Sequence, residues 1–186
     1  IPDSDIILEG VLMNTFRDAF YRTLMDMGAD ITFSNQKIIC GEKISDINIK
    51  YSKLNDIVIP ANRIYKMIYE YPALILIACI SNTNIKIQGI EEIKKYDSEG
   101  FSDILKFLKE LNIRFNDSKD TFEVTSRLSN LDKDVEIGKD FMDDRVSLFC
   151  LLYGCFLEKG VYTSNNLENT FPNLKEFLTN MGLNVE

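Results

Sequence analysis

Three segments of this sequence end in the same way, and that recurrence limits the folds open to the chain. Residues 22–31, 106–115 and 176–185 each carry two apolar residues three apart: Leu24 with Met27, Leu108 with Leu111, and Leu178 with Met181. Gly28, Asn112 and Gly182 follow, at the position just past a helix where a left-handed residue is favoured. An apolar residue then opens a strand. The copies are longer and less evenly spaced than the repeats of a solenoid, so they read as large copies of one unit within a domain.

The front of the unit recurs as well. Asp5-Ile6-Ile7-Leu8-Glu9-Gly10 matches Asn84-Ile85-Lys86-Ile87-Gln88-Gly89, and Val161-Tyr162-Thr163-Ser164-Asn165 is a looser third copy. All three read as strands from their β-branched content. After the first two helices come short runs at 31–33 with 37–40 and at 113–115 with 121–124. The links at 34–36 and 116–120 are expected to be hairpin turns.

Two more helices are expected at 64–79 and 145–157, apolar on nearly every side, as helices buried in a core are. The unit is therefore β-α-β-α-β-β. The fold class is α/β (α+β), an inside-out domain with buried helices and sheets facing solvent. No buried helix precedes Ile6, so the first unit is incomplete, and either more chain precedes Ile1 or the element has been lost. Apolar surface is left uncovered, which predicts an adjacent chain or a homo-oligomer.

Composition narrows the chemistry. With 186 residues the chain fits a single domain, 1–186. Its 29 acidic residues against 21 basic ones give a net charge of -8, which argues against a free-standing nucleic-acid binder. The absence of His removes Ser-His-Asp and Cys-His nucleophiles and His-ligated zinc. Cys40, Cys79, Cys150 and Cys155 form no CxxC pair and read as reduced, buried thiols, which points to the cytoplasm. No apolar run is long enough for a membrane span, and no charged-then-apolar leader opens the chain, so neither a membrane partner nor a signal peptide is expected. Asp132, Asp134 and Glu136 alternate like the start of a Ca²⁺ loop. Ile137 stands where that loop needs Gly and Asp143 where it needs Glu, so a solvated loop and no metal are expected. Neither common phosphate-cradling glycine loop is present.

Several short stretches, in order, carry a family resemblance. They are Met27-Gly28-Ala29-Asp30-Ile31, Tyr69-Glu70-Tyr71-Pro72-Ala73-Leu74, Glu92-Ile93-Lys94-Lys95-Tyr96-Asp97-Ser98-Glu99, Asp143-Asp144-Arg145, and Thr170-Phe171-Pro172-Asn173. Together they resemble the enolpyruvyl transferases, specifically the 5-enolpyruvylshikimate-3-phosphate synthases, over nearly the whole chain but only over the C-terminal domain of that two-domain family. The resemblance implies a role in the shikimate pathway, with a second, N-terminal domain as partner in the same or a separate chain. It implies small anionic substrates, shikimate 3-phosphate and phosphoenolpyruvate, and no cofactor.

The same resemblance shows what has changed. The family's general-base Asp falls on Tyr69, and a phenol is a poor base near neutral pH. The Lys of its Lys-Glu pair falls on Tyr96, and the Glu on Asp97. The Arg closing that motif falls on Gly100, the earlier Arg on Lys94, the His before the second phosphate Arg on Asp144, and the late Lys on Asn169. What survives is Asp97 as candidate catalytic group, with Arg145, Lys94, Asn14 and Arg17 as candidate substrate ligands. Each has a plainer alternative. Arg145 pairs with Asp143 or Asp144, Asp97 complements a helix dipole, Asn14 caps the following helix, and Tyr69 and Tyr96 are packing residues. Lys95 could replace the lost Lys. The chain alone is expected to be inactive. The alternative is a degenerate, non-catalytic domain with a structural or interaction role.

Overall fold

A computed structural model describes residues 2–125, 141–157 and 167–180. The expected third strand at 161–165, the Gly182 step, the acidic run at 132–140 and the side chain of Cys155 lie outside the described residues.

The first unit opens with strand β1 (Asp5–Leu12), helix α1 (Ala19–Asp26), β2 (Asp30–Ile39) and β3 (Glu42–Lys50). These strands form an antiparallel sheet in the order β1-β3-β2. The step from α1 to β2 falls where the sequence places it. Gly28 has φ 97°, its N–H donates to the carbonyl of Met25, and the N–H of Ala29 donates to Leu24. That pair of bonds is the Schellman arrangement, which satisfies the last helical carbonyls. Asn112 repeats it with φ 53°, its own N–H reaching Lys109 and that of Ile113 reaching Leu108.

The hairpin after α1 differs from the expectation. Residues 34–36 are not its turn. β2 runs on through them as a bulge, and the chain reverses at Cys40 and Gly41, where Ile39 pairs with Glu42. Both turn residues have positive φ, 51° and 85°, as a two-residue hairpin turn requires. Cys40 is therefore exposed rather than buried, whereas Cys79 and Cys150 are buried. A second bulge interrupts β1 between Leu8 and Val11. One carboxylate pins both bulges: Asp46, on the central strand, accepts from the Gly10 N–H at 2.8 Å and from Asn35 Nδ2 at 2.6 Å.

The second unit is complete. It comprises β4 (Ile57–Ile59), α2 (Ala61–Ile64) with a 3₁₀ turn (Tyr65–Met67), α3 (Tyr71–Ser81), β5 (Asn84–Gln88), α4 (Ile90–Tyr96), α5 (Ser98–Glu110), β6 (Arg114–Asp117) and β7 (Thr121–Thr125). The sheet order is β4-β5-β7-β6, with β4 parallel to β5 and the other pairs antiparallel. The helix expected over 64–79 is broken before Tyr71. Pro72 explains the break, because its ring suits only the first turn of a helix. The two pieces meet at 106°. No single helix among the described residues is long and apolar enough to cross a membrane.

After β7 come α6 (Asp144–Leu157), α7 (Leu167–Thr170) and α8 (Leu174–Asn180). Helices α3 and α6 pack together inside the molecule. Leu74, Ile75, Ala78 and Cys79 of α3 and Val146, Cys150 and Tyr153 of α6 are all buried. Truncating Leu74 to Ala would cost about 2–5 kcal/mol. Ile85, Ile87, Phe122 and Val124 turn the inner face of the second sheet onto these helices, while Lys86 and Glu123 form an ion pair at 2.6 Å on its outer face. Helices inside and sheets outside is the inside-out arrangement read from the two apolar helices.

Candidate functional site

Arg145 stands in the first turn of α6, which Asp143 caps. Oδ1 of Asp143 accepts from the backbone N–H of Arg145 at 2.9 Å and of Val146 at 3.1 Å, the bonds an Asp N-cap supplies. The Arg145 guanidinium folds back on that carboxylate, with Nε 3.1 Å and Nη2 2.5 Å from its oxygens. Nη2 also lies 2.8 and 2.7 Å from the two carboxylate oxygens of Asp97.

Asp97 is the link between α4 and α5, and Gly100 is one turn further on. A Cβ at Gly100 would lie 2.7 Å from Nη2 of Arg145 and 2.9 Å from both Asp97 oxygens. The missing side chain makes the room in which Arg145 reaches Asp97.

Two carboxylates surround the Arg145 guanidinium, so these three groups together carry a net negative charge. Burial alone would lower the pKa of Arg145, but its bonds to Asp143 and Asp97 outweigh this and raise it. Burial would raise Asp143, yet hydrogen bonds from Arg145 and Val146 hold it below the usual carboxylate value. Tyr71 packs beside Asp97 with its phenol fully buried, and burial first, then the Asp97 charge, push its pKa up. Nη1 of Arg145 and the Tyr71 hydroxyl are buried and have no hydrogen-bond partner among the described residues.

Asp103 supports this arrangement from α5. It is 1% exposed. Its Oδ2 accepts from the N–H groups of Met142 at 2.7 Å and Asp143 at 2.9 Å, and its Oδ1 from Lys106 at 2.8 Å. Asp103 thus fixes the backbone that carries Asp143 into α6. Sequence reasoning missed it. The available signal was an acidic residue on the helix face formed by Phe101, Ile104, Phe107 and Leu108.

Tyr69 and Tyr96 are not packed in the core, contrary to expectation, being 55% and 76% exposed. The Tyr69 ring instead meets two guanidinium groups, with the Cζ of Arg17 at 5.2 Å and that of Arg145 at 5.6 Å from its centroid. Arg17, Tyr69, Arg145 and Asp97 are therefore brought together, and the other candidates are not. Asn14 does not cap α1, whose N-cap is Asp18. It closes a turn of its own, with Oδ1 accepting from the Phe16 N–H at 2.9 Å. Lys94 is committed to the β6–β7 turn, 2.5 Å from Asp117 and 2.8 Å from the Ser118 carbonyl. Lys95 pairs with Glu91 and Glu92 on its own helix. Asp144 turns to the Thr170 hydroxyl rather than to Arg145. Asn169 is exposed on α7. Among the described residues no group of three or more acidic or thiol side chains could hold a metal ion.

The geometry thus defines an inside-out α/β fold with an arginine held between two carboxylates where helix termini converge. Comparison with known proteins gives the family. The sequence profile of EPSP synthase (3-phosphoshikimate 1-carboxyvinyltransferase) matches residues 1–178, and the chain belongs to that family. The 3-phosphoshikimate 1-carboxyvinyltransferase of Chelativorans sp. (strain BNC1) is 30% identical over the whole chain, which covers 42% of that relative. The enzyme of the same name from Bartonella tribocorum is 31% identical over 98% of the chain, again 42% of the relative. An EPSP synthase structure from Acinetobacter baumannii superposes with a TM-score of 0.84 at 26% identity, covering all of this chain and 43% of that one. The chain therefore spans less than half the length of these relatives.

Proposed function

We propose that residues 1–186 form one domain, the C-terminal part of a protein of the 3-phosphoshikimate 1-carboxyvinyltransferase type, and that this domain alone does not transfer the enolpyruvyl group. The observation that carries the reading is the closed Arg145. Its Nε and Nη2 are already held by Asp97 and Asp143. An incoming phosphate or carboxylate would have to compete with those carboxylates for Nε and Nη2, and would find only the buried Nη1 and the exposed Arg17 beside them. Removal of one such contact typically costs about 2–4 kcal/mol of transition-state stabilisation. Of the other candidates, Lys94 and Asn14 are directed elsewhere, Asp97 as catalytic group is engaged with Arg145, and Arg17 lies exposed against the Tyr69 ring.

A second domain belongs to this reading. In the four-stranded sheet, β4 lies parallel to β5 along one edge. The equivalent edge of β1 has no neighbouring strand among the described residues, and Ile6, Ile7 and Leu8 are 44%, 58% and 42% exposed there. Two copies pairing antiparallel about Ile7 would set Asp5 against Glu9, a like-charge contact that disfavours a homo-oligomer through this edge. A domain of the same family, in the same chain or another, is the better partner. Small anionic substrates and a cytoplasmic location accompany the proposal.

A non-catalytic role is the second reading. It is favoured by Tyr69 standing with its ring against Arg17 and Arg145, where the family resemblance places the base. Phosphate release from shikimate 3-phosphate and phosphoenolpyruvate separates the possibilities. It should be measured for the chain alone and for the chain fused to the remaining part of the Acinetobacter baumannii relative. Release only from the fusion supports the first reading. No release from either, with both folded by circular dichroism, supports the second. Release by the chain alone overturns both.

A further inference from the structure

Two turns grip each other beside Arg145. Residues 14–17 form the first. The Arg17 N–H donates to the Asn14 carbonyl at 2.8 Å, and the Phe16 N–H to the Asn14 side chain at 2.9 Å. Asn14 thereby sets the direction in which Phe16 and Arg17 leave the chain. Residues 65–70 form the second, between α2 and α3. Each turn offers the other one ring and one cation. Arg17 lies over Tyr69, with Cζ 5.2 Å from the ring centroid, and Lys66 lies over Phe16, with Nζ at 5.7 Å. Both distances are within the reach of a cation–π contact, about 6 Å.

Arg17 differs from Arg145 in what else holds it. Arg145 is closed on Asp97 and Asp143. Arg17 is exposed and forms no ion pair among the described residues. An exposed Arg samples many rotamers unless a neighbour fixes it, and the Tyr69 ring is that neighbour. The same ring also meets Arg145, at 5.6 Å. Two guanidinium groups can share it because Asp97 and Asp143 neutralise the charge of Arg145 and leave little repulsion against Arg17.

We propose that Tyr69 is a positioning residue, whose ring holds Arg17 at the rim of the site so that its guanidinium receives the phosphate group of a small ligand. The inference rests on the reading above that this site takes small anionic substrates. A planar fork already fixed in place loses less freedom on binding than a mobile one. The ring does this work and the hydroxyl does not, so the residue at the position of the family's base serves binding rather than proton transfer.

The test uses the whole chain and inorganic phosphate, followed by NMR. The Arg17 Nε proton should carry a ring-current shift that Tyr69→Phe keeps and Tyr69→Leu loses. Phosphate affinity should be unchanged in Tyr69→Phe and fall about two- to fivefold in Tyr69→Leu, as expected for loss of an exposed cation–π contact. Arg17→Gln should weaken it at least as much. Tyr51→Leu, at another exposed tyrosine, should change nothing. A wild-type chain that binds no phosphate would overturn the anionic reading of the site, and this proposal with it. Phosphate binding that Tyr69→Leu or Arg17→Gln leaves intact, equal losses in Tyr69→Phe and Tyr69→Leu, or no ring-current shift in the wild type would overturn the proposal and leave that reading standing.

Discussion

Gly100 and Arg145 share one space: a methyl group on the first would sit 2.7 Å from Nη2 of the second. The close approach decides what Gly100→Ala does. Ala gains up to about 1 kcal/mol over Gly inside a helix. The atoms it meets are the ends of two side chains, Arg145 and Asp97, which can swing aside. The variant should therefore be close to wild type in urea unfolding while Arg145 leaves Asp97. Exchange of the Arg145 Nη2 proton that Asp97 accepts would show the release by NMR, and a protected Nη2 proton facing Asp97 in folded Gly100→Ala would refute it.

Arg145→Ala should be more damaging. It strands Asp97 and Asp143, whose side chains are only 17% and 13% exposed. Breaking a fully buried pair costs about 3–5 kcal/mol, and partial exposure here should bring the loss to about 2–3 kcal/mol. Adding Asp97→Asn removes one stranded charge and should recover part of it. A double-mutant cycle in urea reads the coupling directly, and additive losses would mean the clamp contributes nothing.

Asp103→Ala removes the acceptor for two consecutive N–H groups, those of Met142 and Asp143, at a site closed to water. Each orphaned donor costs about 1–3 kcal/mol, so a loss of several kcal/mol is expected. Asp103→Asn keeps an oxygen and should cost about half as much. Equal losses for the two variants would mean that volume matters here rather than hydrogen bonding.

What the sequence revealed and what it concealed divide along the range of the interactions. Gly28 and Asn112 were legible because a left-handed residue past a helix is a local requirement. The inside-out architecture was legible because an 11-residue helix such as α3 (Tyr71–Ser81) has no polar face to turn outward. The first hairpin misled because Ser34-Asn35-Gln36 has turn composition, while the carboxylate that makes it a bulge comes from Asp46 on the next strand. Cys40 hid the true turn for the same reason: a Cys-Gly pair carries a weaker turn signal than Asn-Gly. Lys94 fell on a substrate position by motif, but Asp117, from a hairpin that meets it only in space, claims its ammonium. The Asp143 partner of Arg145 could be read from two residues away. Asp97, 48 residues distant, could not.

The pH dependence of stability has two limbs with opposite causes. Asp143 has a depressed carboxyl pKa in the folded chain, so its contribution is present above the unfolded value of about 3.9. It is lost as the pH falls through the depressed value, when Arg145 loses a partner. On the alkaline side, burial pushes the Cys79 thiol up to about 12. Unfolded, the same thiol ionises near pH 8.5. A group held protonated in the folded state contributes fully below its unfolded pKa and loses that contribution as the pH rises towards the folded one. Stability should therefore decline from about pH 8.5 to 12, by about 2 kcal/mol at pH 10 from Cys79 alone. Tyr71, Tyr153 and Cys150, all raised first by burial, act in the same direction. Urea midpoints at pH 7 and pH 10 for wild type and Cys79→Ala provide the check. The variant should be weaker at pH 7 through lost packing, but its midpoint should fall less on going to pH 10. An equal fall in both proteins would show that Cys79 does not carry the alkaline limb.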